Sequence, residues 1–356
     1  MSALPSTYET TTLLDGVVSL GAHAFPQDAL GDDTVVIKPD YIGICRADAK
    51  EILGSRDVME DRGPLFGHEL VGIVTFSGAR TGFREGDLVT LNPNITPART
   101  TGFAEYIFVH GTKEELDQAV VRVPEPDIRD DIWMPEPFAC IVHALGKLLE
   151  LADLPSLRGK RVGIIGAGCA GLMFAMYARH LGASVAVFNR GASRRAFARE
   201  QGILAEDEIF PLTAAGDHHD EFDIVIAAPT IATTEILEVA AGMANDGAVL
   251  FVYGGTRKGD TFPAGGADVD TIRRQERIES VEYAGKRLHV SGAYGCFKED
   301  YEDGFRLHAE HPDEFPLERL TSGRIGLGDF PQLVMNVAAG KEDYPGKVLI
   351  KIAGHG

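Results

Sequence analysis

Five side chains in the first part of the chain have the chemistry to hold a transition metal. They are Cys45 in GICRADAK, His68 and Glu69 in GPLFGHELVGIV, Asp87 in REGDLV and Glu136 in MPEPFACIVHAL. Thiolate, imidazole and carboxylate are the donors of a catalytic zinc, which keeps one position open for water or substrate. Singly each is a weak sign, since a lone cysteine or a histidine at a strand end usually packs rather than ligates. Only four cysteines occur, Cys45, Cys140, Cys169 and Cys296, and no two form a C-x-x-C pair. This argues against a disulfide framework and against a cysteine-rich structural zinc site.

A second chemical signature is RVGIIGAGCAGLMFAMYARHLG, where Gly166, Gly168 and Gly171 have G-x-G-x-x-G spacing between an apolar strand and an amphipathic helix. Such glycines permit a tight turn and bring backbone close to a pyrophosphate lying at the helix N-terminus. At the end of the next strand, SVAVF, an NAD-binding chain carries Asp or Glu for the ribose hydroxyls. Here Asn189 and Arg190 stand there, with Arg194 and Arg195 close behind. A carboxylate would repel a 2′-phosphate, whereas an amide and guanidinium groups can bind one. NADP(H) is therefore favoured over NAD(H), and Arg199 is read as part of a solvated helix face.

These residues need elements to position them. A chain of 356 residues exceeds what a single core usually serves, so two domains are expected. TVVIKPDYIGI, ELVGIVTF, DLVTL, AEYIFV and AVVRV read as strands separated by Gly, Pro and Asp. From residue 158 strand and helix alternate through KRVGIIG, AGLMFAMYARHL, SVAVFNR, RRAFAREQG, FDIVIAAP, TTEILEVAAGMA and GAVLFVYGG, the order of a doubly wound parallel sheet. Residues 256 to 280 are expected to be connecting structure. The formal charge of −19 weighs against nucleic-acid and anionic-membrane partners and permits a cationic small molecule. The first thirty residues lack a basic lead into an apolar run, so a cytoplasmic protein without membrane anchor is expected.

Over nearly its whole length the chain resembles the zinc-containing branch of the medium-chain dehydrogenase/reductase family. The matching pieces are GICRAD, GHE with its following apolar strand, GFAEY, EP-x5-HA at Glu136 to Ala144, GAGCAG and the closing DYPGKVLIKI. The resemblance implies an α/β protein with a chaperonin-10-like β-rich catalytic domain and a doubly wound Rossmann domain. Residues 1–150 and 294–356 would form the former and 151–293 the latter. Carried over, Cys45, His68 and Glu136 look like zinc ligands, and Glu69 like a carboxylate that binds the metal or approaches it as water exchanges. Asp48 looks like the acid that orients the zinc histidine, and Arg46 like a contact for cofactor phosphate. Glu136 is closest to the polyol, threonine and glucose dehydrogenase members.

Two departures stand out. DLVTLNPNITPARTT is too short, and too poor in cysteine, for the four-cysteine lobe of many relatives, so one catalytic zinc and no structural zinc is expected. Ala47 and Lys50 replace the usual hydroxyl and imidazole of the proton relay. A water held by Glu69 or Glu136, then Lys50, then a substrate hydroxyl are the alternative proton sources. The resemblance thus implies a zinc-dependent NADP(H) oxidoreductase that interconverts secondary alcohol and ketone on a sugar, amino sugar, polyol or aminocyclitol. The favoured direction is ketone reduction, and aminoglycoside-type biosynthesis is one setting. The alternatives are an NAD-dependent cyclitol or polyol dehydrogenase and a zinc-free quinone reductase or non-catalytic NADPH-binding protein. A homo-oligomer is expected, pairing along the sheet edge near GAVLFVYGG.

Overall fold

The computed structural model describes residues 4–54, 66–95, 97–124, 128, 132–263 and 265–352. It divides into two compact units, one of residues 1–136, 297–305 and 321–356, the other of residues 137–296 and 306–320. The division thus falls at 136/137 rather than 150, and residues 306–320 join the second unit.

The first unit is mostly β. Strands β1 (Thr7–Leu14) and β2 (Val17–Ala24) form a hairpin closed by Asp15 and Gly16, both at positive φ, as a two-residue type I′ turn requires. β3 (Thr34–Gly43) is the hub: it pairs antiparallel with β4 (Glu69–Ser77) and with β7 (Ile107–His110). Helix α1 (Arg46–Ile52) follows β3 directly. β5 (Leu88–Leu91) and β8 (Val120–Arg122), the latter led in by helix α2 (Lys113–Ala119), extend the sheet beyond β4, while the short β6 (Ala98–Arg99) pairs with β7. Val35, Ile37, Leu70, Val74, Phe103 and Ile107 fill one core, which fixes the strand ends that carry the metal candidates.

Helix α3 (Pro135–Leu151) leads into the second unit. There β9 (Arg161–Ile165), α4 (Cys169–His180), β10 (Ser184–Asn189), α5 (Ala192–Glu200), β11 (Ile209–Pro211), β12 (Phe222–Ala227), α6 (Thr234–Met243) and β13 (Ala244–Val252) alternate. They are followed by α7 (Val269–Arg274), β14 (Ile278–Tyr283) and β15 (Lys286–Gly292). The seven-stranded order is β11-β10-β9-β12-β13-β15-β14, parallel except for the β14–β15 hairpin. The glycine loop therefore sits at the carboxyl end of the inner strand β9, where doubly wound sheets bind ligands.

Two expectations are corrected here. GAVLFV is no edge: β13 is buried between β12 and β15, and β14 is the outer strand. Residues 256–280 hold helix α7, whose N-terminus is capped by Asp268 accepting from Thr271 N at 2.9 Å, and the start of β14. The chain then forms α8 (Lys298–Glu310) and returns to the first unit with β16 (Thr321–Gly326), α9 (Phe330–Ala338) and β17 (Lys347–Lys351), which pairs with β3. Among the described residues no helix is long and apolar enough to cross a membrane.

Candidate functional site

Cys45 is the N-cap of α1. Its sulfur accepts from Ala47 N at 3.5 Å, and the Asp48 carboxylate reaches back to Cys45 N at 2.8 Å, a capping box built on a cysteine. The other Asp48 oxygen accepts from Gly67 N at 3.0 Å, so one buried carboxylate ties the backbone bearing Cys45 to the backbone bearing His68. Asp48 also stands 3.8 Å from His68 Nδ1, an electrostatic contact beyond hydrogen-bond distance. Arg99 braces the same turn from outside through the Phe66 and Gly67 carbonyls.

His68 and Glu69 are brought to this place by the start of β4, and both are buried. Ligand atoms of Cys45, His68 and Glu69 lie within 4.8 Å of one another. Glu136, in the first turn of α3, is buried too and its charge acts on His68, though it is not one of this close trio. Asp87 is elsewhere, its carboxylate accepting from Arg84 N and Arg122 to close a turn.

The electrostatics of the cluster favour a cation. Burial pushes the Cys45 thiol up, as does the Glu69 charge, against the opposing pull of His68 and Lys347. Desolvation pushes Asp48 up to about 6 despite His68 and the two N–H donors. Burial alone would lower His68, yet Cys45, Glu136 and Asp48 together hold it well above the ordinary imidazole range. Positive charge is thus stabilised where these groups converge.

One partner has no counterpart among the sequence-based candidates. Lys347, at the start of β17, places its ammonium 2.7 Å from Glu69 Oε1 and donates to the Ile44 carbonyl at 3.3 Å. Glu69 Oε2 is also close to that ammonium at 2.5 Å, so Lys347 pairs with both oxygens of the buried carboxylate. The carboxylate has room only because residue 43 is glycine: a Cβ there would stand 2.6 Å from Oε2. The GK of DYPGKVLIKI is the sequence signal for this lysine, although nothing in its spacing points to Glu69. Lys50 lies in the last turn of α1, about 200° around the helix from Asp48, and is half-buried.

In the second unit the glycine loop is tightly made. A Cβ on Gly171 would lie 1.8 Å from the Gly166 carbonyl, and Gly166 itself has φ +112° with Ala228 backbone against it. Gly168, the N-cap of α4, is different: a Cβ there would meet only Arg194 Nη1, at 3.7 Å. The guanidinium of Arg194 therefore overhangs the loop.

Asn189 is buried and spends its amide on the loop, accepting from Ala167 N at 3.1 Å and donating to the Gly191 carbonyl at 3.0 Å. Arg195 folds back onto the Asn189 and Arg190 carbonyls at 2.7 and 2.9 Å. These two residues shape the turn, while Arg190 is exposed and Arg194 is half-buried beside the loop. Arg46 is ion-paired with Asp343, and Arg199 with Glu206.

Comparison with known proteins agrees with this architecture. Residues 31–119 match the alcohol dehydrogenase GroES-like domain. The chain is 26% identical to L-threonine 3-dehydrogenase of Deinococcus radiodurans over 320 residues, 80% of each protein. Among solved structures it superposes on a zinc-binding dehydrogenase of Sinorhizobium meliloti bound to NADP with a TM-score of 0.70, at 21% identity, covering 98% of this chain and 100% of that one. Galactitol-1-phosphate dehydrogenase of Escherichia coli gives 0.67 at 20% identity, with 97% of each chain covered. Its β-rich and doubly wound units, its GroES-like domain and its threonine dehydrogenase relative make the chain similar, over most of its length, to zinc-type medium-chain dehydrogenases/reductases.

Proposed function

We propose that this NAD(P)-dependent dehydrogenase uses NADP(H) and one zinc to interconvert a secondary alcohol and a ketone on a sugar, amino sugar or cyclitol, chiefly as a ketone reductase. The observation that carries this reading is the convergence of the Cys45, His68 and Glu69 donors within 4.8 Å. That donor set suits zinc. Cys45 and His68 would hold it together with Glu136, with Glu69 exchanging at the remaining position.

Zinc bound there supplies Lewis acidity, and the nicotinamide supplies or accepts hydride. The chain's own residues do the rest. Asp48 braces both ligand-bearing backbones and faces His68. Lys347 holds both oxygens of Glu69, and the carboxylate would accept from a water that passes a proton to the substrate oxygen in place of the relay lost at Ala47. Arg190 and Arg194 take the 2′-phosphate, and Asn189 and Arg195 keep the turn in shape for them. A preference for the usually reduced cofactor supports the reductive direction. The threonine dehydrogenase likeness supports a hydroxylated substrate, and the charge of −19 suits an amino-bearing one.

The test joins metal analysis of protein purified without added metal to fluorescence titrations with NADPH and NADH and a screen of ketosugars and aminocyclitols. The expected result is a catalytic zinc lost in Cys45→Ser, tighter binding of NADPH, and an Arg190→Ala variant that binds NADPH roughly 10-fold more weakly, as for one charge-assisted bond, with NADH unaffected. Tighter NADH binding overturns the cofactor preference, and metal-free protein with no activity recovered on adding zinc overturns the reaction.

A further inference from the structure

The second unit holds another group of metal-binding donors, apart from the cofactor loop. His180 is the last residue of α4, while His311 directly follows α8 and Glu314 lies three residues on. Their ligand atoms lie within 4.8 Å of one another. The carboxylate bridges the two rings, with Oε2 at 2.9 Å from His180 Nδ1 and Oε1 at 3.3 Å from His311 Nδ1. The ring centroids are 4.7 Å apart with planes inclined at 60°, so the imidazoles converge and do not stack.

We propose that His180, His311 and Glu314 form a second, solvent-facing site for a divalent transition-metal ion of the zinc class. Ligands at about 2.0–2.1 Å from a tetrahedral zinc stand about 3.3 Å from each other, so three donors already within 4.8 Å need to draw together by at most about 1.5 Å, a side-chain rotation. The ion would take the place of protons that now bridge nitrogen and carboxylate, and uptake would release protons to solvent. Two imidazoles exclude magnesium and calcium, which take oxygen ligands.

The surroundings give the site a fixed frame. His180 packs on the buried Phe315 at 5.2 Å between centroids, and Phe315 packs in turn on Tyr177 at 5.8 Å and Phe138 at 5.3 Å. On the other side, the N–H groups of Glu314 and Phe315 both bond to the His311 carbonyl, at 3.0 and 3.1 Å, in a turn that sets His311 and Glu314 facing the same way. His311 and Glu314 have side chains 38% and 49% exposed, so an ion enters and leaves freely and keeps at least one water position. Bound there, it ties the end of α4, the helix whose start carries the dinucleotide loop, to the segment after α8. Metal occupancy thereby raises the stability of the nucleotide-binding unit.

The site shares no residue with the Cys45 cluster, so the two can be tested apart. Zinc chloride is titrated calorimetrically into metal-stripped protein of four kinds: wild type, Cys45→Ser, Glu314→Gln, and a His180→Asn/His311→Asn double variant. Wild type should bind two zinc ions and each altered protein one, and zinc should raise the Tm of Cys45→Ser but not of Cys45→Ser carrying Glu314→Gln. Cobalt(II) gives a second readout, since a thiolate charge-transfer band should persist in Glu314→Gln and vanish in Cys45→Ser. Glu314 is exposed enough that its change to Gln leaves folding intact, so the result does not depend on the double variant. Equal zinc stoichiometry in wild type and Glu314→Gln, with equal Tm shifts, overturns the proposal. Loss of the cobalt thiolate band from wild type strikes only at the Cys45 reading.

Discussion

The glycine loop draws Gly166, Gly168, Gly171 and Asn189 from one unbroken strand, turn, helix and strand, whereas the candidate metal cluster gathers Cys45, His68 and Glu69, with Lys347 against it, from three separated segments. The loop is held by backbone: glycines pressed on carbonyls, and an amide and a guanidinium closing the turn. The cluster is held by charge, with Asp48 between two N–H donors and Lys347 against Glu69. A site of the first kind should fail by steric strain and a site of the second by uncompensated charge. Each can therefore be broken without the other.

The largest effect is expected from the ligands. Cys45→Ser should remove the catalytic metal and lower turnover more than about 100-fold, beyond what loss of a mere supporting residue costs a metal site. NADPH binding, a property of the other unit, should stay within about twofold by fluorescence titration. A parallel collapse of cofactor binding would show that the two regions do not fail independently.

Next comes the ion pair. Glu69 and Lys347 have side chains only 2% and 11% exposed. Lys347→Met leaves a buried carboxylate without its partner and should cost about 3–5 kcal/mol in metal-free protein. Zinc should restore part of that loss, because the dication supplies the missing positive charge beside Glu69. Chemical denaturation with and without zinc checks this; equal losses in both states would mean that Glu69 does not face the metal.

What the sequence made legible follows the same line. The β-rich and doubly wound units could be read from composition and alternation. The tight glycine turn was legible because its partners are near in sequence. The loop-bracing work of Asn189 and Arg195 was not, since an amide or a guanidinium serves a ligand or a carbonyl equally well until the turn is folded. The Glu69–Lys347 pair joins residues 278 apart and has no periodicity to announce it. Helix α7 was hidden by glycine-rich, charged flanks that resemble a linker.

The glycines sharpen the steric half of the comparison. Gly171→Ala forces a Cβ to 1.8 Å from a carbonyl that is itself part of the turn, so the cost should reach about 1–3 kcal/mol or more. Gly168→Ala meets nothing closer than 3.7 Å and should fold normally, yet weaken NADPH by obstructing the approach of the pyrophosphate. Thermal unfolding and cofactor titration on the two variants should therefore give opposite rankings.

The smallest effect concerns pH and belongs to the second unit alone. Glu276, at φ 51°, accepts from His143 Nε2 at 2.6 Å and from Tyr294 N at 3.1 Å, with Lys147 at 3.9 Å. Burial raises its carboxyl, but these bonds and charges outweigh it and leave the group below its ordinary value of 4.5. A depressed carboxyl binds fewer protons in the folded state than in the unfolded one. Its stabilisation is thus complete above the ordinary carboxyl range and disappears as pH falls through 4.5 toward the lower folded value. Glu276→Gln should cost about 1 kcal/mol at pH 7, a hydrogen bond to an ionised group discounted for partial exposure, and almost nothing once wild-type Glu276 is itself protonated. Urea midpoints measured at both ends of that range should converge in acid; a difference that persisted there would assign the loss to shape instead of charge, and this corner of the second unit would then fail as the glycine loop does.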